Sequence, residues 1–275
     1  MNLIEPVILG VVQGATEFLP ISSSAHLRIV GEFLSSATDP GATFSAITQI
    51  GTEAAVLVYF RRDIARIIRQ WSGTLAGKVP GSDPDAQMGW QIIVGTIPIG
   101  LAGYFAQHYI RSAFRSLRLT GVVLIVFGVA LGFADRLGRR TRELSDLSCG
   151  HGILYGLAQA LALIPGVSRS GATTTMGLAL GYTRPAAAEY GFLLAVPAVF
   201  ASGLFELLTS FRKPRTYGSK ETALATVVSF GVGLAVISIL MKYISKHSFL
   251  PFAIYRVLLG GKLLVLLSKG ILRPS

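Results

Sequence analysis

Long apolar runs are the feature that most restricts how this chain of 275 residues can fold. A helix needs about 20 mainly apolar residues to cross the roughly 30 Å hydrocarbon layer of a bilayer. The sequence is 51% hydrophobic and only 14% charged, whereas a soluble domain has about 25% charged residues. We therefore expect an all-α integral membrane protein. Six segments predict membrane-spanning helices, at residues 44–60, 88–107, 118–134, 190–208, 222–243 and 250–268.

Charge and cysteine content narrow the class of protein further. The formal net charge is +11, but Lys and Arg lie mainly between the apolar runs, as in loops that flank membrane spans and touch anionic headgroups. This distribution argues against nucleic acid as the partner. Cys149 is the single cysteine, so an intrachain disulfide and a cysteine-rich metal site are excluded.

Two further apolar stretches, residues 3–34 and 150–182, are interrupted in the middle. The interruptions read Phe18-Leu-Pro-Ile-Ser-Ser-Ser and Ile164-Pro-Gly-Val-Ser-Arg-Ser-Gly. Pro and Gly end helices, and the backbone groups they expose are tolerated at membrane depth only inside protein or beside a wet cavity. We predict that both stretches are re-entrant helix–loop–helix hairpins.

The two interrupted stretches also match each other without a gap. The aligned pairs are Gly10 with Gly156, Gln13 with Gln159, Ser22 with Ser168, and Ser24 with Ser170. Three predicted spans follow each stretch, and an odd number of spans inverts the second copy in the membrane. The sequence therefore predicts one polytopic domain, residues 1–275, with inverted repeats at about 1–134 and 150–275 and a polar site near the midplane. Chance similarity between apolar helices is the alternative.

Basic residues give a prediction of orientation. By the positive-inside bias, segments 61–87 and 135–149 are cytoplasmic loops. They carry Arg61, Arg62, Arg66, Arg69, Lys78, Arg136, Arg139, Arg140 and Arg142. The bias is weakened by basic residues that then lie outside, namely Arg111, Arg115, Arg118, Arg212, Lys213 and Arg215.

The first interrupted stretch carries residues suited to proton transfer. Glu17 is an ionisable residue inside apolar sequence, which is costly and by default functional, and Gln13 lies one helical turn before it. Ser23 and His26 are three positions apart, so they share one face of a helix and form the minimum set for a nucleophile and its proton-transfer partner. The alternative is a turn whose serines, Ser22 included, only cap a helix.

The second interruption has the residues of an oxyanion site. Ser168 can cap the helix that follows, whose free amides and dipole attract an anion. Arg169 adds a permanent charge with a planar fork that suits phosphate, while Ser170 and Thr173 add donors and Gly171 allows close approach of the backbone. The alternative is an arginine that extends to lipid headgroups.

Together these motifs resemble the undecaprenyl-pyrophosphate phosphatase family of the bacitracin-resistance type. The resemblance covers essentially the whole chain and includes Gln49-Ile-Gly, Phe192-Leu-Leu-Ala-Val-Pro197 and Tyr255-Arg256. Ala25 stands where the family usually has Gly, a change that removes no functional group. Gln13 occupies a position where the family allows Glu or Gln, so a metal site with two carboxylates is not guaranteed.

The resemblance implies an enzyme of the bacterial plasma (inner) membrane that converts undecaprenyl pyrophosphate to undecaprenyl phosphate and inorganic phosphate. This reaction recycles the lipid carrier of peptidoglycan and other cell-wall precursors, and it confers bacitracin resistance. The partner is then a polyprenyl pyrophosphate lipid, and the active site opens toward the outer face. The oligomeric state is left open, a homodimer included.

We can assign roles on this basis, and some alternatives stay open. The predicted catalytic residues are Glu17, Ser23, His26 and Arg169, and the predicted substrate-binding residues are Gln13, Ser22, Ser168, Ser170, Gly171 and Thr173. Ser23 is the preferred nucleophile with His26 as its partner, but His26 itself or water are rivals. Glu17 is either a base or, with Gln13, a ligand to Mg²⁺ or Ca²⁺. An anion carrier or lipid flippase, or a lipid-binding structural protein, are the competing functions.

Overall fold

The computed structural model of the protein describes residues 3–34, 40–112, 116–209 and 216–272, with the side chains of all of these except 106–112. Regular structure in these ranges is helical, apart from one isolated bridge between Arg142 and Tyr182. The α-helices are α1 (Ile4–Thr16), α2 (Ser23–Phe33), α3 (Gly41–Tyr59), α4 (Arg61–Leu75), α5 (Pro84–Ser112), α6 (Leu117–Leu137), α7 (Cys149–Ala160), α8 (Arg169–Ala179), α9 (Arg184–Thr209), α10 (Ser219–Ile244) and α11 (Leu250–Ser268). The prediction of an all-α protein is confirmed.

Five of these helices, α5, α6, α9, α10 and α11, are long and apolar enough to cross a membrane. They coincide with five of the six predicted spans. The sixth predicted span, residues 44–60, forms α3, which has 19 residues but does not reach the same hydropathy because Thr, Gln and Glu53 interrupt its apolar sequence. Its crossing of the membrane stays a prediction.

The predicted loop at residues 61–87 is wrong in its first half, because Arg61–Leu75 forms helix α4. Ile64, Ile67 and Trp71 recur at helical spacing and pack toward α5, where the Trp71 ring lies 5.6 Å from the ring of Trp90. The arginines of α4 remain at the surface. A basic amphipathic helix therefore replaces the predicted loop.

The basic residues used to predict orientation are only partly described. Arg136, Arg139, Arg140 and Arg142 are exposed at and beyond the end of α6, and Arg118 is exposed near its start. Arg115, Arg212, Lys213, Arg215 and the side chain of Arg111 lie outside the described part of the chain. The cytoplasmic placement of the first group stays a prediction.

Both interrupted stretches fold as two helices separated by a non-helical turn. The first is α1–turn–α2, in which α1 ends at Thr16 and α2 begins at Ser23. The second is α7–turn–α8, in which α7 ends at Ala160, a short 3-10 helix covers Leu161–Leu163, and α8 begins at Arg169. The breaks lie where Pro and Gly predict them, whereas the re-entry of either stretch into a membrane stays a prediction.

The aligned serines have the same local structure at both breaks. Ser22 has φ 75° and Ser168 has φ 66°, in the left-handed region that residues other than glycine rarely adopt. Each Oγ accepts a hydrogen bond from the backbone N–H three positions on, and each lies 3.2 Å from the Oγ of the serine two positions on. The two serines therefore cap α2 and α8 in the same way.

Glycines bring the first helix of each interrupted stretch against a long helix from the other half of the chain. A β-carbon at Gly10 of α1 would lie 2.6 Å from the carbonyl oxygen of Ala225 in α10. A β-carbon at Gly156 of α7 would lie 2.2 Å from the carbonyl oxygen of Gly95 in α5. Since these distances exclude any side chain, both contacts fix the position of an interrupted stretch.

Candidate active site

The turns of the two interrupted stretches meet, and a buried arginine ties them together. Arg256 of α11 is fully buried, and its Nη1 donates to the Pro20 carbonyl at 3.0 Å while its Nη2 donates to the Gly166 and Val167 carbonyls at 2.9 Å each. The sequence motif left open what Arg256 contacts. The structure assigns it to the main chain of both turns, where it holds their relative position.

Glu17 lies in the first turn, one residue beyond the end of α1, and is the centre of a hydrogen-bond cluster. Its Oε1 accepts from Arg169 Nη2 at 2.8 Å, and its Oε2 accepts from Gln13 Nε2 and from Ser23 Oγ at 2.6 Å each. Gln49 Nε2 lies 3.5 Å from the same Oε2. Because the carboxylate is buried, it needs such partners to remain charged.

Arg169 is the first residue of α8, and it reaches across to Glu17 from the second turn. Both of its ion pairs use the same nitrogen, Nη2, which lies 2.8 Å from Glu17 Oε1 and 3.3 Å from Glu53 Oε2. Its Nη1 and Nε form no hydrogen bond with any residue that the structure describes, and the side chain is 15% exposed. The guanidinium therefore has N–H groups left for an anionic ligand.

His26 forms no hydrogen bond with Ser23 in the described part of the chain, and its pairing with Ser23 during the reaction stays a prediction. His26 Nδ1 lies 2.7 Å from the Ser22 carbonyl, and Nε2 lies 2.7 Å from the Tyr255 hydroxyl. The His26 and Tyr255 rings are stacked, with centroids 5.6 Å apart. Ser23 instead donates to Glu17, because a hydrogen bond to a carboxylate is stronger than one to a neutral ring.

The remaining predicted substrate ligands take part in building the two turns. Ser22 and Ser168 cap their helices, and the Gly171 N–H donates to Ser168 Oγ. Ser170 Oγ lies 3.2 Å from the carbonyl oxygens of both Glu17 and Leu19, so it binds the second turn to the first. Thr173 Oγ1 donates to the Arg169 carbonyl at 3.0 Å. Direct contact of these groups with a phosphate stays a prediction.

Sequence reasoning gave little weight to Glu53 and to the amide of Gln49, both of which the structure places beside Glu17 and Arg169. The signal was present, since Gln49 and Glu53 have the same four-residue spacing as Gln13 and Glu17. Two buried oxygens of the cluster, Gln13 Oε1 and Glu53 Oε1, have no hydrogen-bond partner within the described part of the chain. Buried polar atoms without a partner call for an explanation, and a bound ligand or water is one that fits this cluster.

These oxygens are possible ligands for the expected cation, Mg²⁺ or Ca²⁺. No group of three or more His, Cys, Asp or Glu side chains suited to a metal occurs among the described residues. An amide or carboxylate oxygen is nevertheless the kind of ligand that Mg²⁺ and Ca²⁺ take, usually together with water and substrate phosphate. The donor set of Gln13 and Glu17 therefore fits a hard divalent cation, and the predicted metal site stays a prediction.

The fold and the cluster define a class: a multi-pass helical membrane protein whose buried ionic site lies where two interrupted helical stretches meet. The chain matches the model of the family described as bacitracin resistance protein BacA over residues 6–262. It belongs to this family.

Several relatives are similar to the chain over its full length, and each is named undecaprenyl-diphosphatase. The relative from Micrococcus luteus is 63% identical over 275 residues, which cover 99% of both proteins. The relative from Clavibacter michiganensis subsp. michiganensis is 60% identical over 270 residues, 98% of both, and that from Pseudarthrobacter chlorophenolicus is 56% identical over 275 residues, 99% of both.

Proposed function

We propose that this protein hydrolyses undecaprenyl diphosphate to undecaprenyl phosphate and inorganic phosphate. The names of its full-length relatives support this activity. The single observation that carries the proposal is the position of Arg169, which shares the Glu17 carboxylate with the Ser23 hydroxyl and has N–H groups left for an anion. A phosphate-binding cation next to an activated hydroxyl is what phosphoryl transfer requires.

The diphosphate is held at the meeting point of the two turns. Arg169 supplies a permanent positive charge, and the first amides of α2 and α8 have no acceptor within their helices, so they add donors aimed at an anion. Charge on the transferring phosphoryl group grows in the transition state, and fixed donors stabilise it without rearrangement. The prenyl chain lies in the surrounding lipid or against apolar helix surfaces.

Glu17 serves as the base. Ser23 Oγ attacks the terminal phosphorus, its proton passes to Glu17 Oε2, and the bond from phosphorus to the bridging oxygen breaks, which releases undecaprenyl phosphate. Water then hydrolyses the phosphoserine to give inorganic phosphate and free Ser23. Direct attack by water activated by Glu17 gives the same products, as does attack by His26. If His26 is not the nucleophile, it protonates the leaving oxygen, and the Tyr255 hydroxyl holds the His26 ring in place.

In the alternative role of Glu17, a divalent cation, Mg²⁺ or Ca²⁺, would be held by Gln13 and Glu17 together with the substrate. The cation would neutralise negative charge on the diphosphate oxygens. We expect chelation by EDTA to abolish phosphate release, with recovery on addition of Mg²⁺ or Ca²⁺. Full activity of the chelator-treated protein would remove the cation from the proposal.

The leading alternative is a carrier or flippase, since broken helices that bind an anion also suit transport. The two functions separate in H₂¹⁸O with the protein in vesicles that contain a prenyl diphosphate. A phosphatase releases inorganic phosphate that carries one ¹⁸O from water, whereas a carrier moves the lipid without change. Movement of intact lipid with no labelled phosphate would contradict the proposed activity.

We also propose the finer architecture of two inverted repeats, at about 1–134 and 150–275, with six spans and two re-entrant hairpins. The exchange of contacts between the halves supports it: α1 packs on α10, while its counterpart α7 packs on α5. The glycines at these contacts, Gly10 and Gly156, are aligned residues of the repeat. An odd number of spans per half then leaves the second half inverted.

The cellular setting follows from this proposal. The protein lies in the bacterial plasma membrane with its site open to the outer face, and the phosphate it releases comes from the lipid carrier of cell-wall precursors. Recycling that carrier supports peptidoglycan synthesis and bacitracin resistance. A homodimer is compatible with this role, since all of the cluster residues come from one chain.

A further inference from the structure

Glu53 is a carboxylate at the site that neither motif contains. It lies in the middle of α3, and its side chain is fully buried. A β-carbon at the neighbouring Gly51 would lie 2.1 Å from the Thr226 carbonyl oxygen in α10, so α3 is held tightly against that helix. The position of the Glu53 carboxylate is therefore set by a rigid pair of helices.

The contacts of Glu53 are few for a buried charge. Its Oε2 lies 3.3 Å from Arg169 Nη2, and its Oε1 has no hydrogen-bond partner within the described part of the chain. A buried carboxylate with one long ion pair loses more in desolvation than that pair returns. A structural role would be better served by an apolar side chain, so the acid has a reason to be there other than stability.

Glu17 and Glu53 both contact the guanidinium of Arg169. The same Nη2 contacts Glu17 at 2.8 Å and Glu53 at 3.3 Å, so one carboxylate from the first turn and one from α3 face the same guanidinium. A guanidinium nitrogen that contacts two carboxylates fixed on separate elements has less freedom to move than one with a single partner.

We propose that Glu53 is a positioning residue for hydrolysis, the second carboxylate of the site, which together with Glu17 holds Arg169 in place. The inference rests on the proposed function. It also accounts for Gln13, which is neutral and lies against Glu17 on the other side. The second negative charge comes from α3 rather than from α1.

The test compares purified full-length variants in detergent, with prenyl diphosphate as substrate and released phosphate as the readout. Glu53→Gln keeps the shape and removes the charge. We expect its kcat to fall about 10- to 100-fold, as when a catalytic group loses its positioning partner, with KM changed less than about threefold. Glu189→Gln, a half-buried glutamate on α9 that does not contact Arg169, is the matched control and keeps wild-type kcat.

Removing Arg169 separates positioning from a structural role. In an Arg169→Ala background, Glu53→Gln has no guanidinium to position, and we expect it to lower kcat by less than about twofold further. A folded Glu53→Gln protein with kcat within about twofold of wild type overturns the inference, as does a further loss of about tenfold or more when Glu53→Gln is added to Arg169→Ala. If Glu53→Gln needs a much higher Mg²⁺ concentration than wild type for half-maximal activity, Glu53 acts as a metal ligand and the inference is overturned.

The controls distinguish failure of the proposed function from failure of the role proposed for Glu53. Wild-type protein that releases no phosphate contradicts the proposed function itself, whereas active wild type with active Glu53→Gln contradicts only the role of Glu53. If Glu53→Gln does not fold, Glu53→Asp decides, because it keeps the charge but withdraws it from Arg169. We expect Glu53→Asp to lose kcat, and wild-type kcat in that variant overturns the inference.

Discussion

At the scale of single residues, one carboxylate organises the site. Glu17 accepts hydrogen bonds from Gln13, Ser23 and Arg169, and these donors come from α1, α2 and α8. A charged acceptor with several donors is held in one orientation, so Ser23 is held in one orientation too. The Ser23 hydroxyl is thus already hydrogen-bonded to the carboxylate that we propose as its base.

We expect Glu17→Gln and Ser23→Ala each to lower kcat by about 10²- to 10⁴-fold, the range for loss of a general base or its partner. The amide cannot take the Ser23 proton, and the alanine has no hydroxyl. The rate of phosphate release measures both. Glu32→Gln, which breaks only the ion pair with Arg28 on α2, is the control. Normal turnover by Ser23→Ala would exclude Ser23 and leave water or His26 as the nucleophile.

Tyr255→Phe tests the position of His26. The change removes the hydroxyl that bonds His26 Nε2 at 2.7 Å but keeps the stacked ring. A neutral hydrogen bond is worth about 1 kcal/mol, so we expect roughly a fivefold lower kcat with unchanged fold. His26→Ala should lose more. Equal activity of Tyr255→Phe and wild type would show that the contact does not act on the reaction.

The motifs predict which residues of the cluster matter better than they predict how these residues pair. Glu17, Ser23 and Arg169 come together as expected, because each lies at a break that the sequence marks. The partners of His26 and Arg169 were not predictable, since Tyr255 is 229 positions from His26 and Glu53 is 116 positions from Arg169. Local spacing carries no information about such contacts.

At the scale of elements, the site depends on two turns held in register. Arg256 donates to carbonyls in both turns, and Ser170 binds the second turn to the first. Backbone carbonyls freed by a helix break need donors at membrane depth. The sequence predicted the breaks from Pro and Gly, but it also predicted a loop where α4 forms, because the charge of that segment masked its apolar face.

Arg256→Leu should destabilise the fold rather than alter the chemistry alone. It leaves the carbonyls of Pro20, Gly166 and Val167 buried without their donor, at a cost of about 2–5 kcal/mol. We expect Tm in detergent to fall by several degrees, with a smaller fall for Arg256→Lys. Unchanged Tm in Arg256→Leu would mean that the turns hold their register without this arginine.

At the scale of the whole molecule, neither half of the chain contains a complete site. The first half supplies Glu17, Ser23 and Glu53. The second half supplies Arg169, and also Tyr255 and Arg256, which hydrogen-bond to groups of the first interrupted stretch. The exchanged packing of α1 on α10 and α7 on α5 brings the halves together. The candidate active site is thus a property of the assembled fold.

The most direct test is the rate of phosphate release from a prenyl diphosphate by Arg169→Ala, measured beside wild type and beside Arg136→Ala, which removes an exposed arginine of α6. Among the residues that the structure describes, Arg169 is the group that brings positive charge from the second half to the Glu17 carboxylate of the first. We expect kcat to fall by about 10²- to 10³-fold in Arg169→Ala and to be unchanged in Arg136→Ala. A folded Arg169→Ala protein that releases phosphate at the wild-type rate would contradict the account.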